Sequence, residues 1–272
     1  MSETVRLSVL VPAFNEEELI EPTVRSVHDS FAALGRRDYE VVVCDNNSSD
    51  RTAARAAAAG ARVVFEPHNQ VSRARNAAAR LARGEWLIFL DADTLMSRPL
   101  LEATLSRIES GRIGAGGALV SLDTERPGWF GAMFQWGWNR LSVARRLAPG
   151  SYIFCLRAAW EEVGGFDEDL YFLEDVLFSK KLRRWCRRHR RAVSIVTEAR
   201  AVTSARKLAW YGGWRVARSL LPLFRYGSIR RREPWGILYE RPQRGPADDL
   251  AVTQTPAAAA SPARPDADLG VS

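Results

Sequence analysis

The sequence predicts an α/β protein whose mostly parallel, Rossmann-like sheet is flanked by helices. Two observations predict it. Short β-branched or aliphatic runs (LSVLV, EVVVC, ARVVF, EWLIFL) alternate with longer stretches of helical periodicity, the pattern of right-handed βαβ crossovers. Three of those runs end in polar clusters, PAFNE, CDNNSSD and LDADT, and ligands of such sheets bind beyond the carboxyl ends of the strands. Composition agrees with a globular chain: 272 residues, 46% hydrophobic and 26% charged, with 19 Gly and 13 Pro. That balance excludes disordered and collagen-like chains.

Each element follows from its own pattern. Val5 to Val11 reads as a buried strand ending at Pro12. Ile20, Val24, Val27, Phe31 and Leu34 recur at steps of four and three, which predicts an amphipathic helix with Pro22 in its first turn and Gly35 as its stop. Glu40 to Cys44 is a second strand, and Arg51 to Ala59 an Ala-rich helix stopped by Gly60. Ala61 to Phe65 is a third strand, followed by a helix over Ser72 to Arg83 with Gly84 as its terminator. Glu85 to Leu90 is a fourth strand that runs straight into Asp91-Ala92-Asp93. Further on, helices are expected over Arg98 to Ile108, Trp129 to Leu147 and Glu174 to His189, with strands over Ile113 to Leu122 and Ser151 to Leu156.

Charge is unevenly distributed. The chain carries a net +7, yet residues 180–235 hold 17 basic against 2 acidic residues. Such a block attracts polyanions, or is a solvated helix face. Basic amphipathic helices are expected within residues 206–242, where Trp210, Trp214, Trp235 and several leucines lie among the arginines. That mixture suits an anionic membrane surface and with it a lipid-linked or membrane-proximal acceptor; a helix packed on the core through the same Trp and Leu side chains is the alternative. Residues 243–272 are Pro/Ala-rich and expected to be disordered. Three scattered cysteines fit a reducing compartment, and neither a signal peptide nor a run long enough to span a bilayer is expected. The expected location is cytoplasmic, peripheral on the inner face of the membrane where the basic region touches it.

Four clusters bear chemistry. Asp91 and Asp93, one residue apart at a strand end, suit a hard divalent cation, Mg2+ or Mn2+, that completes its shell with water and substrate phosphates. Asp45 suits a hydrogen bond to a base or ribose; an Asx-turn is the plainer alternative. Pro12, Ala13 and Phe14 allow a flat ring to approach the backbone, while Asn15 with Glu18 also reads as a helix cap. Glu174-Asp175 opens an Arg-rich helix, where acids are favoured by the helix dipole and where one of them suits a general base. No Ser/His/Asp or Cys/His constellation competes, and neither GxGxxG nor GxxxxGK[ST] occurs in a nucleotide-binding context.

Taken in order, these motifs resemble the family 2 glycosyltransferases, inverting enzymes with the GT-A fold. VPAFNEE looks like the family's opening strand motif and CDNNSSDRT like its second nucleotide loop; SRARNAAARLARGEWLIFLDADT is similar to the approach to its metal-binding DXD motif, and VGGFDEDLYFLEDVLFSKKLRR to its acceptor segment. The resemblance covers residues 5–205. It implies a GT-A domain over residues 1–205 in which Pro12, Ala13, Phe14, Glu16 and Asp45 hold the nucleoside, with Arg75 at the border of the pocket. Asp91 would face ribose or metal, Asp93 would ligate the metal, Asp175 would be the base, and Glu174 would orient the acceptor or its neighbour. Two departures stand out: Asn46 replaces an acid common in the second loop, and no His follows residue 189 as a late metal ligand, so that Ser204 or Arg206 of TSARK is expected in its place.

The implied function is metal-dependent transfer of a sugar, with inversion, from a UDP- or GDP-sugar to an acceptor hydroxyl, lipid-linked or in a cell-envelope glycan. A non-catalytic nucleotide-sugar-binding protein is the first rival. A sugar-phosphate nucleotidyltransferase is weaker, because PAFNEEE stands where a Gly-rich basic loop belongs. No nucleic-acid motif accompanies the basic block, and no nucleic-acid partner is expected.

Overall fold

A computed structural model of the chain describes residues 5–124 and 129–206. The predicted basic helices and the Pro/Ala-rich tail, from residue 207 onward, lie outside the described residues. In chain order the elements are β1 (Leu7–Ala13), α1 (Ile20–Ala33), β2 (Tyr39–Asp45), α2 (Thr52–Ala58), β3 (Arg62–Phe65), α3 (Val71–Leu81), β4 (Trp86–Leu90), β5 (Thr94–Leu95), α4 (Arg98–Glu109), β6 (Ile113–Leu122), α5 (Trp129–Arg145), β7 (Tyr152–Leu156), α6 (Arg157–Glu162), α7 (Glu174–Arg188) and β8 (Ala192–Thr203).

The strands form a mixed sheet in the order β3-β2-β1-β4-β7-β6-β8-β5. The first half is parallel, as the βαβ pattern predicts: β1 pairs with β2 on one side and β4 on the other, and β2 pairs with β3. The second half is not a continuation of it. β7 runs antiparallel between β4 and β6, while β8 is parallel to β6 and antiparallel to the two-residue β5. Strand order reverses beside β1, the place where a parallel sheet opens a crevice at its carboxyl edge.

Side chains alternate into two helical layers, and β1, β2 and β4 are almost wholly buried, as strands covered on both faces should be. Phe89 of β4 meets Phe166 and Phe178 edge-on at 5.0 and 6.0 Å between ring centroids, and those two rings stack at 4.0 Å. This aromatic group lies under the start of α7. The three cysteines are free and buried, and burial pushes the Cys44 thiol up to about 12. Among the described residues no helix is long and apolar enough to cross a membrane.

Several expectations need correction. Pro12 does not end β1 but lies within it. The Arg6 carbonyl accepts from Trp86 and the Ala13 carbonyl from Asn46, so alternate residues face β4 and β2. Pro12 therefore turns its missing amide toward β4, beyond the last registered pair Leu10–Phe89. Asn15 is not the cap of α1, whose N-cap is Leu19; its side chain accepts from the Ser49 amide at 2.8 Å and joins the first two loops. Gly84 does not stop α3, which ends three residues earlier. A Cβ on it would lie 2.7 Å from the Leu7 carbonyl carbon, so glycine is needed for close passage over β1.

β5, α6 and β8 were not anticipated. β8 evades a period-two search because its pairing with β6 slips between Ala118 and Leu119, whose partners are Val196 and Arg200. Thr197 and Glu198 bulge outward, and the buried side chains Val196 and Ala199 fall three apart. Replacing Gly84 with Ala is expected to cost about 1–3 kcal/mol by overpacking β1, read as a lower urea midpoint with an unchanged slope.

Candidate active site

The carboxyl ends of β1, β2 and β4 meet on one edge of the sheet because the three strands are parallel and in register. Helix α3 runs back antiparallel to them, so its first turns lie beside that edge. Its alanines allow close approach: Ala74, Ala78 and Ala79 are fully buried. Buried with them is Arg75, whose side chain is only 3% exposed.

Arg75 organises the centre of the site. It donates from Nη2 to Asp91 Oδ1 at 2.9 Å and to the Gly150 carbonyl at 3.1 Å, and from Nη1 to Glu174 Oε1 at 3.0 Å. Its guanidinium lies 5.1 Å over the Phe166 ring. Asp175 also acts on it electrostatically, and these charges outweigh burial to hold the guanidinium protonated above its ordinary range. Glu174 and Asp175 open α7, and the left-handed Leu173 (φ 61°) before them makes the turn that aims both into the crevice. Asp175 accepts from the Val176 amide at 2.7 Å. A Cβ on Gly150 would come within 2.8 Å of Asp175 Oδ2, so this glycine leaves the space the carboxylate occupies. Burial, followed by the charge of Asp175, pushes Glu174 up to about 7. Asp175 is raised as well, chiefly by burial, with Arg75 opposing.

Asp93 lies at the other side of the β4 terminus. Its carboxylate accepts from Thr203 Oγ1 at 3.3 Å and its carbonyl accepts from the Ser204 amide at 2.9 Å. TSARK therefore stands beside Asp93. Arg206 reaches past it to ion-pair with Glu16, and lies 3.7 Å from Glu18. A guanidinium has no lone pair to give a metal, so what this position supplies is positive charge.

The first two loops are tied to each other. The amides of Asn15, Glu16 and Glu17 donate to Ser48, Thr52 and Asp50. Pro12 and Ala13 pair with Cys44 and Asp45, which sets the loop after β1 beside the loop after β2. Asp45 accepts from the Ser48 amide at 3.1 Å, three residues on rather than the two of an Asx-turn, a bond within the loop. Asn46 is spent within the protein: it accepts from the Gln70 amide at 2.7 Å and donates to the carbonyls of Glu66 and His68, fixing the start of α3.

Sequence reasoning missed Gly150, Asn76 and Gln70. Asn76 donates to the Phe166 carbonyl and accepts from its amide, while Gln70 donates to the carbonyls of Glu168 and Leu170. Together they hang residues 165–171, the approach to α7, on α3. Only an asparagine buried in an Ala-rich helix was visible as a signal. As to a metal, Asp91 and Asp93 offer two hard oxygen donors, and among the described residues no third His, Cys, Asp or Glu joins them in a group fit to hold an ion. That donor set fits Mg2+ or Mn2+, which take few carboxylates and leave positions for water and phosphate, and does not fit a structural zinc.

Replacing Arg75 with Ala empties a buried position and leaves the half-buried Asp91 and Glu174 without their counter-ion. A loss of about 3–5 kcal/mol is expected, measured by chemical denaturation, with Arg75→Lys intermediate because it keeps the charge and loses the two-pronged fork.

Comparison with known proteins places this geometry among relatives. The family described as Glycosyl transferase family 2 matches residues 8–160. Glycosyltransferase AglD of Haloferax volcanii is 32% identical over 118 residues, 41% of this chain and 19% of its own. Glucosyl-3-phosphoglycerate synthase of Mycolicibacterium paratuberculosis is 37% identical over 106 residues, 35% of this chain and 30% of its own. Both matches thus span under a third of the relative's length. Among solved structures, the mannosyltransferase PcManGT from Pyrobaculum calidifontis, in complex with GDP-Man and Mn2+, superposes with a TM-score of 0.63 at 23% identity, covering 79% of this chain and 61% of that one.

Proposed function

Because the chain belongs to glycosyl transferase family 2, we propose that it is an inverting, metal-dependent glycosyltransferase that moves a sugar from a UDP- or GDP-sugar to an acceptor hydroxyl. The GT-A fold is common ground with PcManGT, whose structure carries GDP-Man and Mn2+. The observation that carries the proposal is the pair Glu174-Asp175, half-buried at the start of α7, with Glu174 bonded to the same Arg75 that holds Asp91.

Pro12, Ala13, Phe14, Glu16 and Asp45 hold the nucleoside, in the opening between the first two loops. Asp93 and Asp91 hold Mg2+ or Mn2+; when bound, the cation neutralises the diphosphate that leaves. Asp175 accepts the proton of the acceptor hydroxyl. The acceptor oxygen forms its bond to the anomeric carbon while the bond from that carbon to the diphosphate oxygen breaks. One displacement from the opposite face inverts the configuration. Glu174, held by Arg75, orients the acceptor and keeps the carboxylate beside it in place. The acceptor is a hydroxyl of a lipid-linked or cell-envelope glycan.

A base acts in its deprotonated form, and the fold raises the pKa of Asp175. Activity is therefore lost as pH falls through a value above the ordinary carboxylate range, and kcat/KM should show its acid limb there. Asp175→Asn should remove that limb and lower turnover by roughly 10²–10⁴-fold; near-normal transfer by a folded Asp175→Asn protein refutes the role. UDP-, GDP- and dTDP-sugars offered with Mn2+ or Mg2+, read as nucleoside diphosphate release, identify the donor; silence across the panel counts against transfer. Asp93→Ala should weaken cation and donor together, seen by titration calorimetry, and unchanged donor binding in Mn2+ would argue against ligation.

A further inference from the structure

Helix α5 is built inside out. Its polar side chains point into the protein: Asn139 accepts from the Val120 amide at 3.2 Å and donates to the Val120 carbonyl at 3.0 Å, Gln135 accepts from the Leu122 amide, and Ser142 donates to the Leu147 carbonyl. Four of its described apolar side chains are exposed. Met133 is 53% exposed, Trp136 63% and Val143 45%, and with Arg140 they follow at steps of three and four along one face. Leu141, 41% exposed, flanks them. A helix covering a soluble protein carries the opposite arrangement, with polar residues on its outer face.

The helix itself carries no negative charge. Between Glu125 and Glu161 the sequence contains no acidic residue. Arg140 lies 5.0 Å from the centre of the Trp136 ring, so a cation and an aromatic ring share the exposed face. Exposed Arg145 and Arg146 follow at the end of the helix. There Arg183 of α7 donates to the Arg145 carbonyl at 2.7 Å, and α7 carries exposed Arg184, Arg187 and Arg188 further along. Aromatic and aliphatic side chains among cations, with no acid between them, match an interfacial helix on an anionic bilayer.

The same helix leads into the site. Beyond α5, the Ala148 carbonyl accepts from Ser179, the Gly150 carbonyl from Arg75 and the Ser151 carbonyl from the Asp91 amide. A surface lying on α5 is thus one short loop from Asp175.

We propose that the outward face of α5 docks on an anionic lipid surface and presents a lipid-linked acceptor to the crevice. This deepens the glycosyltransferase reading and rests on it for the acceptor, though not for the membrane contact itself. The test uses the full chain with vesicles of phosphatidylglycerol in phosphatidylcholine, and of phosphatidylcholine alone, read by sedimentation. Nucleoside diphosphate release from a soluble donor, with water as acceptor, is followed in parallel. The chain should sediment with anionic vesicles and not with neutral ones. A Met133→Ser, Trp136→Ser double variant should partition roughly tenfold or more weakly, Arg140→Glu should weaken binding in the same direction, and donor turnover to water should be unchanged in both. Wild-type indifference to vesicles, or unaltered binding by the double variant, overturns the proposal, the latter assigning any contact to another part of the chain. A change of oligomeric state in the double variant without vesicles also overturns it, because the face would then belong to a second copy. Vesicle binding through α5 without release from any nucleotide sugar upholds the surface and refutes the transferase reading; release without vesicle binding does the reverse.

Discussion

One buried guanidinium governs the site. Arg75 stands among Asp91, Glu174 and Asp175, a single positive charge among three carboxyl groups. Inside a protein the attraction between such charges is several times stronger than in water, and so is the penalty for any charge left alone. Arg75 offsets part of the repulsion. Burial, and after it the charge of Asp175, pushes Glu174 up to about 7, and burial raises Asp175 against the pull of Arg75. A basic carboxylate at the crevice is thus a consequence of having more acids than cations in a dry place. A lysine would supply the charge, but not the planar fork that reaches Asp91 and Glu174 from two nitrogens.

The same helix that carries Arg75 also assembles the rest. Residues 66–70, which lead into α3, are held by Asn46 from the β2 loop, so that loop fixes where the helix begins. Gln70 and Asn76 then hold the loop that leads to Glu174. The β2 loop and the approach to α7, separated by about a hundred residues of chain, are joined through one Ala-rich segment. This gives Asn46 a structural reason: an aspartate there would lose the amide that donates to Glu66 and His68.

Charge is arranged on a larger scale too. Acids gather at the sheet edge, while α5 and α7 present arginines and exposed apolar side chains on an adjoining side. The two surfaces suit different partners, a cation with phosphates in the crevice and an anionic headgroup layer outside it. The loop from Leu147 to Ser151 touches both, since its carbonyls accept from Arg75 and Ser179 and it follows directly on α5.

The sequence by itself determined the parallel half of the sheet, the order of its helices and the acids at its carboxyl edge, because β-branched runs and helical periodicity are local properties that each segment carries alone. It also placed Glu174-Asp175 at a helix start. Only the tertiary structure decided the antiparallel insertion of β7, the bulged β8 and the outward apolar face of α5, all of which depend on what each strand or helix meets. The partners of Arg75, Asn46 and Asn76 belong with these: a polar side chain in an alanine-rich or loop segment reads as a surface residue until a distant carboxylate or carbonyl is folded against it. Hydrogen bonds between groups far apart in the chain have no period to be read, and so the chemistry of the site became specific only when the loops closed on α3.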